Sequence, residues 1–133
     1  MKTNVYVDAF NLYYRALRGT PYRWLDLGQL CQRLLPSHQV HRIRYFTAIL
    51  QPWRGDAREQ RRQLTYLRAL RTIPNLAIHF GQFRTDVRRR PLVLPIIGAG
   101  PRVKVLITQE KGSDVNLERF CCWTPSRRTT SRR

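Results

Sequence analysis

The chain has 133 residues, with 25 Lys plus Arg against 8 Asp plus Glu, a formal charge of +17 and a pI near 11.4. That length fits one domain around one core, and 42% hydrophobic residues argue against wholesale disorder. The longest apolar stretch, PLVLPIIGAGP, is broken by proline and glycine and falls short of the ~20 residues that cross a bilayer, so no membrane association is expected.

Asn4 to Asp8 (NVYVD) is a β-branched and aromatic run ending in a carboxylate, which predicts a buried strand. The chain enters this pattern at once, without the apolar segment and small-residue cleavage site of a signal peptide, so a cytoplasmic location is expected. In LDLGQLCQRLL, Leu27, Leu30, Leu34 and Leu35 recur at helical spacing, with Asp26 placed to cap the first turn and Pro36 to end the helix. Cys31 falls in the apolar pattern and reads as a small buried thiol. Cys121 and Cys122 are adjacent and suit neither a zinc site nor an ordinary disulfide.

Val40 to Leu50 changes from alternating to continuous apolar residues, as a strand entering a covered sheet does. Asp56, with Glu59 three positions on, resembles a capping box before AREQRRQLTYLRALR. Leu64, Leu67 and Leu70, with Tyr66, are expected to face the core. Pro74 and Asn75 close that helix, and LAIHF follows as a third strand. From Gly81 to Arg102 the chain reads as a loop or irregular hairpin. Val103 to Gln109 is another strand, and EKGSDVNLERF opens a further helix. Strands alternating with helices predict an α/β fold, whose parallel strands gather polar ligands at their carboxyl ends.

Two stretches carry chemistry. VYVDAFNLYY puts Asp8 at a strand end with Asn11 on the following turn, oxygen donors suited to a hard cation; the same pair equally fits a helix cap. QEKGSDVNL has Gly112 for a tight turn, with Ser113 or Asp114 to cap a helix and Asp114 a candidate to share a cleft with Asp8. His38, His41 and His79 lack metal spacing. Gly98-Ala99-Gly100 is followed by Pro101 and a strand, a poor dinucleotide loop. Tyr13, Tyr14, Tyr22, Trp24 and Trp53 are able to stack on bases, although aromatics beside apolar runs more often serve a core.

In order and separation these two stretches resemble the NYN family of PIN-like nucleases. Asp8 and Asn11 match its opening strand motif, and Lys111, Gly112, Ser113, Asp114 and Val115 match its Lys-Gly-x-Asp-Val turn. The resemblance implies a PIN-like, Rossmann-like, mostly parallel sheet flanked by helices over residues 1–117, with 118–133 as a basic, disordered tail. It implies a ribonuclease hydrolysing RNA with Mg²⁺ or Mn²⁺ held by Asp8 and Asp114. Asn11 would position a carboxylate, water or phosphate oxygen, and Glu110 is a weaker member of the cluster. The basic composition points the same way, with Arg58, Arg61, Arg62, Arg88, Arg89, Arg90 and Lys111 as contacts for single-stranded RNA. The family carries a further strand with an acidic turn, whereas Glu118 is the only acid here beyond Asp114. An incomplete domain with impaired cleavage is therefore expected, a shortened product being favoured over one that borrows ligands from a partner. The alternative is a non-catalytic RNA-binding or regulatory remnant.

Overall fold

The computed structural model describes residues 1–52, 57–94, 96–98 and 100–122, with the backbone alone at 113, 114, 121 and 122. Three strands, β1 (Lys2–Asp8), β2 (Gln39–Thr47) and β3 (Leu76–Phe80), form a parallel sheet in the order β1-β2-β3. Two longer strands, β4 (Gln82–Pro91) and β5 (Arg102–Lys111), pair antiparallel in a separate sheet. The helices are α1 (Ala9–Leu12), which runs directly into a π-helical segment (Tyr13–Leu17), then α2 (Leu27–Leu34), α3 (Arg58–Leu70) and α4 (Ser113–Cys122).

The middle strand explains the sheet. Side chains alternate between faces, so Tyr45 and Phe46 point to opposite sides, and both are buried. Tyr45 packs with Ala9, Leu27, Leu67 and Leu70 in the main core. On the other side the Phe46 ring stacks between Tyr6 at 6.5 Å and His79 at 4.9 Å, and Phe120 of α4 lies over it at 5.9 Å. A strand buried on both faces needs the continuous apolar run seen in its sequence.

Asp26 caps α2 as expected, its Oδ1 accepting from the Gln29 amide at 3.0 Å. The expected cap of α3, Asp56, lies outside the described residues. Residue Ala57 occupies the N-cap position, where the structure gives no side-chain capping bond. Leu67 and Leu70 are buried, but Leu64 is 42% exposed, because it falls beside the core-facing stripe of α3 and not within it. Cys31 is a buried free thiol, as expected, and burial raises its pKa.

The region expected as a loop or irregular hairpin differs most. Gln82 pairs with Lys111 and the ladder runs unbroken to Pro91 opposite Arg102. Pro91 sits at the strand end, where a missing N–H is tolerated. The expected mostly parallel sheet is therefore three parallel strands plus an antiparallel pair. Val87 and Leu106 face each other in register and are 62% and 61% exposed. Gly112, at φ +103, makes the turn from β5 into α4, a backbone conformation costly for a residue with a Cβ. The final helix continues to Cys122, past the domain end expected at 117; residues 123–133 lie outside the described part.

Candidate functional site

Asp8 closes β1 in an extended conformation and caps α1. Its Oδ1 accepts from the Asn11 amide at 3.0 Å and its Oδ2 from Asn11 Nδ2 at 2.7 Å. The two residues that carried the opening motif are thus each other's partners, and the capping role is the one these contacts display.

Beyond this cap the helix widens. The Arg18 amide donates to the Tyr13 carbonyl at 2.7 Å, the longer step of a π turn, a feature common beside functional sites. The widened turn carries Tyr13, Tyr14 and Arg18 over the C-terminal end of β2, where α/β sheets hold ligands. Between this segment, β2 and α3 lies a cavity of about 390 Å³. Its walls include Tyr14, Trp24, Tyr45 and Tyr66, and Arg18, Arg23 and Arg62 also line it. Trp24 and Tyr45 meet the Tyr66 ring edge-on at 6.2 and 6.4 Å. The Arg18 guanidinium lies 5.5 Å over the Tyr14 ring, a cation–π contact.

The cavity floor is held by α3. Gln63 Oε1 accepts from the Leu50 amide at 2.9 Å, Gln63 Nε2 donates to the Ala48 carbonyl at 2.8 Å, and Gln60 Nε2 donates to the Leu50 carbonyl at 2.8 Å. These bonds fix the chain leaving β2. Tyr66 donates its hydroxyl to the Leu25 carbonyl at 2.7 Å, and burial first, then Asp26, raises its pKa to about 12. Burial drives the Tyr45 phenol higher still, aided by Tyr66 and Asp8, so both are neutral donors at physiological pH.

A second cavity of about 390 Å³ adjoins the first through the shared residues Phe10, Tyr14 and Leu50. Asp8, Asn11, Arg15, Phe83 and Glu110 complete its lining. Asp8 and Glu110 thus both line one cavity. The Asp114 side chain lies outside the described residues; its backbone starts α4. Among the described residues no group of three or more His, Cys, Asp or Glu is placed to hold a metal ion.

The structure divides the expected RNA-contacting residues. Arg58, Arg61 and Arg62 lie on α3, with Arg62 3.9 Å from Glu59. Arg88, Arg89 and Arg90 lie on β4, where alternation sends Arg89 to the face opposite its neighbours, and Arg88 is 3.9 Å from Asp86. Lys111 ends β5. His38 bonds Thr3 Oγ1 at 2.7 Å and His79 belongs to the ring stack on Phe46, the ordinary roles expected of them. Sequence reading missed the cavity because Tyr45, Tyr66, Arg18 and Arg23 come from four separate segments. The available signal was Phe10 and Tyr14 four residues apart, with Arg18 one turn further on.

The fold and cavity define an α/β protein with an aromatic, cationic site at the carboxyl end of the middle strand of its parallel sheet. No family model and no solved structure matches the chain. It is 32% identical over 141 aligned residues to 6-hydroxy-3-succinoylpyridine 3-monooxygenase HspA of Pseudomonas putida. That match covers 88% of this chain and 45% of the relative, so the chain spans a little under half of that protein's length.

This similarity corrects the functional expectation. The relative is named as a monooxygenase, which points to an oxidoreductase in place of a ribonuclease or any other hydrolase. The cleaving enzyme is overturned as a reading of the chain, and the non-catalytic RNA-binding remnant gains no support from this similarity. The expectation of Mg²⁺ or Mn²⁺ on Asp8 and Asp114 falls with the cleaving enzyme, since a divalent ion for phosphodiester hydrolysis is not what oxygen insertion requires. Among the described residues no helix is long and apolar enough to cross a membrane.

Proposed function

We propose that the chain is an oxidoreductase of the monooxygenase type, with the aromatic cavity as the seat of a small hydroxylated aromatic substrate. The observation that carries this reading is the 32% identity to the pyridine-ring monooxygenase across 88% of the chain. The cavity supports it: aromatic walls suit a flat ring, and about 390 Å³ lies within the range of small-molecule sites, roughly 300–1,000 Å³. Because the chain spans only 45% of the relative, the activity of the whole relative is part of the proposal.

Such a reaction takes dioxygen, two electrons and two protons. One oxygen atom enters the ring and the other leaves as water. A flavin or nicotinamide dinucleotide is one source of the electrons. In an α/β sheet its pyrophosphate sits on a glycine-rich turn after the first strand, on free helix amides. Here the turn is Asp8-Ala9-Phe10-Asn11, and Asp8 already takes the Asn11 amide. A carboxylate stands where pyrophosphate would, so these residues do not fit that cradle.

In this reading Asp8 and Asn11 are positioning residues: their mutual bonds set the first turn of α1, and with it Phe10 and Tyr14 at the cavity. The fold itself we propose to be of the NYN, PIN-like type. The parallel β1-β2-β3 order and the placement of Asp8 support that, and the fold carries no implication for chemistry. The free thiol of Cys31 and the need for reduced cofactor suit the cytoplasm. The test is dioxygen uptake by the purified chain with added flavin, reduced nicotinamide and a hydroxypyridine carboxylate. Substrate-dependent uptake with a hydroxylated product is expected; uptake indifferent to substrate contradicts the proposal.

A further inference from the structure

Tyr45 is the unusual member of the cavity. It is only 6% exposed and lines the cavity, yet among the described residues its hydroxyl has no hydrogen-bond partner, whereas Tyr66 beside it bonds Leu25. Among the described residues no buried side-chain polar atom lacks a partner, so the Tyr45 hydroxyl opens onto the cavity, where it is placed to donate to an acceptor atom on a ligand.

The cations make a second, independent demand. Arg18, Arg23 and Arg62 line the same space, and Glu59 is the one carboxylate among its lining residues. Arg62 reaches Glu59 only at 3.9 Å, with the two side chains 51% and 76% exposed, a geometry worth little. Among the described residues Arg18 and Arg23 make no ion pair. Guanidinium groups grouped beside aromatic faces suit a carboxylate, which they bind through paired N–H donors.

We infer that this cavity binds a flat aromatic carboxylate: its ring lies among Tyr14, Trp24 and Tyr66, the Tyr45 hydroxyl donates to a ring oxygen, and Arg18, Arg23 and Arg62 meet the carboxylate. This deepens the proposed function by assigning its substrate class to named residues, and rests on that reading for the chemistry but not for the binding. Nothing in the relative's name locates such a site.

The test is calorimetric titration of the full chain with hydroxynicotinate, nicotinate, hydroxypyridine, cyclohexanecarboxylate and uridine monophosphate. Hydroxynicotinate is expected to bind tightest. Tyr45→Phe should weaken hydroxynicotinate about tenfold, the effect of one lost hydrogen bond of ordinary strength, and leave nicotinate unchanged. Its melting temperature should stay level or rise, since no protein partner is lost; a merely structural hydroxyl would lower it. Arg18→Gln with Arg23→Gln should weaken both acids and spare hydroxypyridine. The inference is overturned if hydroxynicotinate fails to bind, binds no better than cyclohexanecarboxylate or the nucleotide, or ignores these substitutions. Binding with this pattern but without oxygen uptake would sink the monooxygenase reading alone. Turnover insensitive to Tyr45 and the arginines would sink this inference alone.

Discussion

Asp8 and Asn11 are joined twice, by a 3.0 Å bond from the Asn11 amide and a 2.7 Å bond from its side-chain amide. The carboxylate is thereby a structural cap whose removal exposes an unsatisfied helix amide. Asp8→Ala is expected to lower stability by about 1 kcal/mol, the usual worth of a cap, and Asp8→Asn by less. Urea unfolding of the three proteins checks this; equal midpoints would show that the cap contributes nothing.

Phe120 covers the sheet face away from the main core. Its ring lies 5.9 Å from Phe46, 4.6 Å from His79 and 4.3 Å from the Arg44 guanidinium carbon. Phe120→Ala should cost about 3 kcal/mol, the low end for a packed phenylalanine because the residue is partly exposed. Phe120→Leu should recover much of it. A thermal melt that does not move would mean α4 is not part of the folding unit.

His79 gives a pH dependence. Burial first, then Arg44 and Arg42, lower its pKa below the ordinary 6.5, and Arg44 Nη1 lies 3.2 Å from Nε2, a bond the neutral ring accepts. The unfolded chain therefore binds a proton more readily than the folded one, and stability rises with pH across that interval. The contribution is fully present above 6.5 and lost as pH falls through the depressed value. Chemical unfolding between about pH 7 and 5 should show this slope, His79 being the residue type whose titration falls there. His79→Phe, which keeps the ring, should flatten it; an unchanged slope would assign it to other groups.

On the hairpin, Val87 and Leu106 are 62% and 61% exposed and directly opposed. Replacing both with Thr should change stability by less than about 1 kcal/mol, since little area leaves water there and threonine suits a strand. A larger loss in a melt would show that this face is covered in solution.

The three parallel strands and α2 are legible in the sequence because each combines one clear period with a chemical stop, such as Asp26 before α2. The hairpin is not. RTDVRRR reads as loop because a strand exposed on both faces needs no apolar alternation, and its partner Val103 to Gln109 looks like one more parallel strand until Gln82 is seen opposite Lys111. Leu64 was misplaced because apolar spacing on α3 does not say where the buried stripe ends. The spacing of Asp8 and Asn11 fits both a cation site and a helix cap, and only geometry shows which donors the carboxylate meets. The cavity is out of reach of sequence reading, since its aromatic and arginine residues converge from α1 and the π-helical segment after it, β2, α3 and the loop before α2.

The chemistry is tested most directly by the source of oxygen in the product. The purified chain, supplied with flavin, reduced nicotinamide and a hydroxypyridine carboxylate, is run under heavy-isotope dioxygen in ordinary water, and the product is weighed by mass spectrometry. A monooxygenase places one heavy atom in the new hydroxyl, and Tyr45→Phe should slow its appearance. A new hydroxyl carrying only oxygen from water, or no new hydroxyl at all, would contradict the assignment.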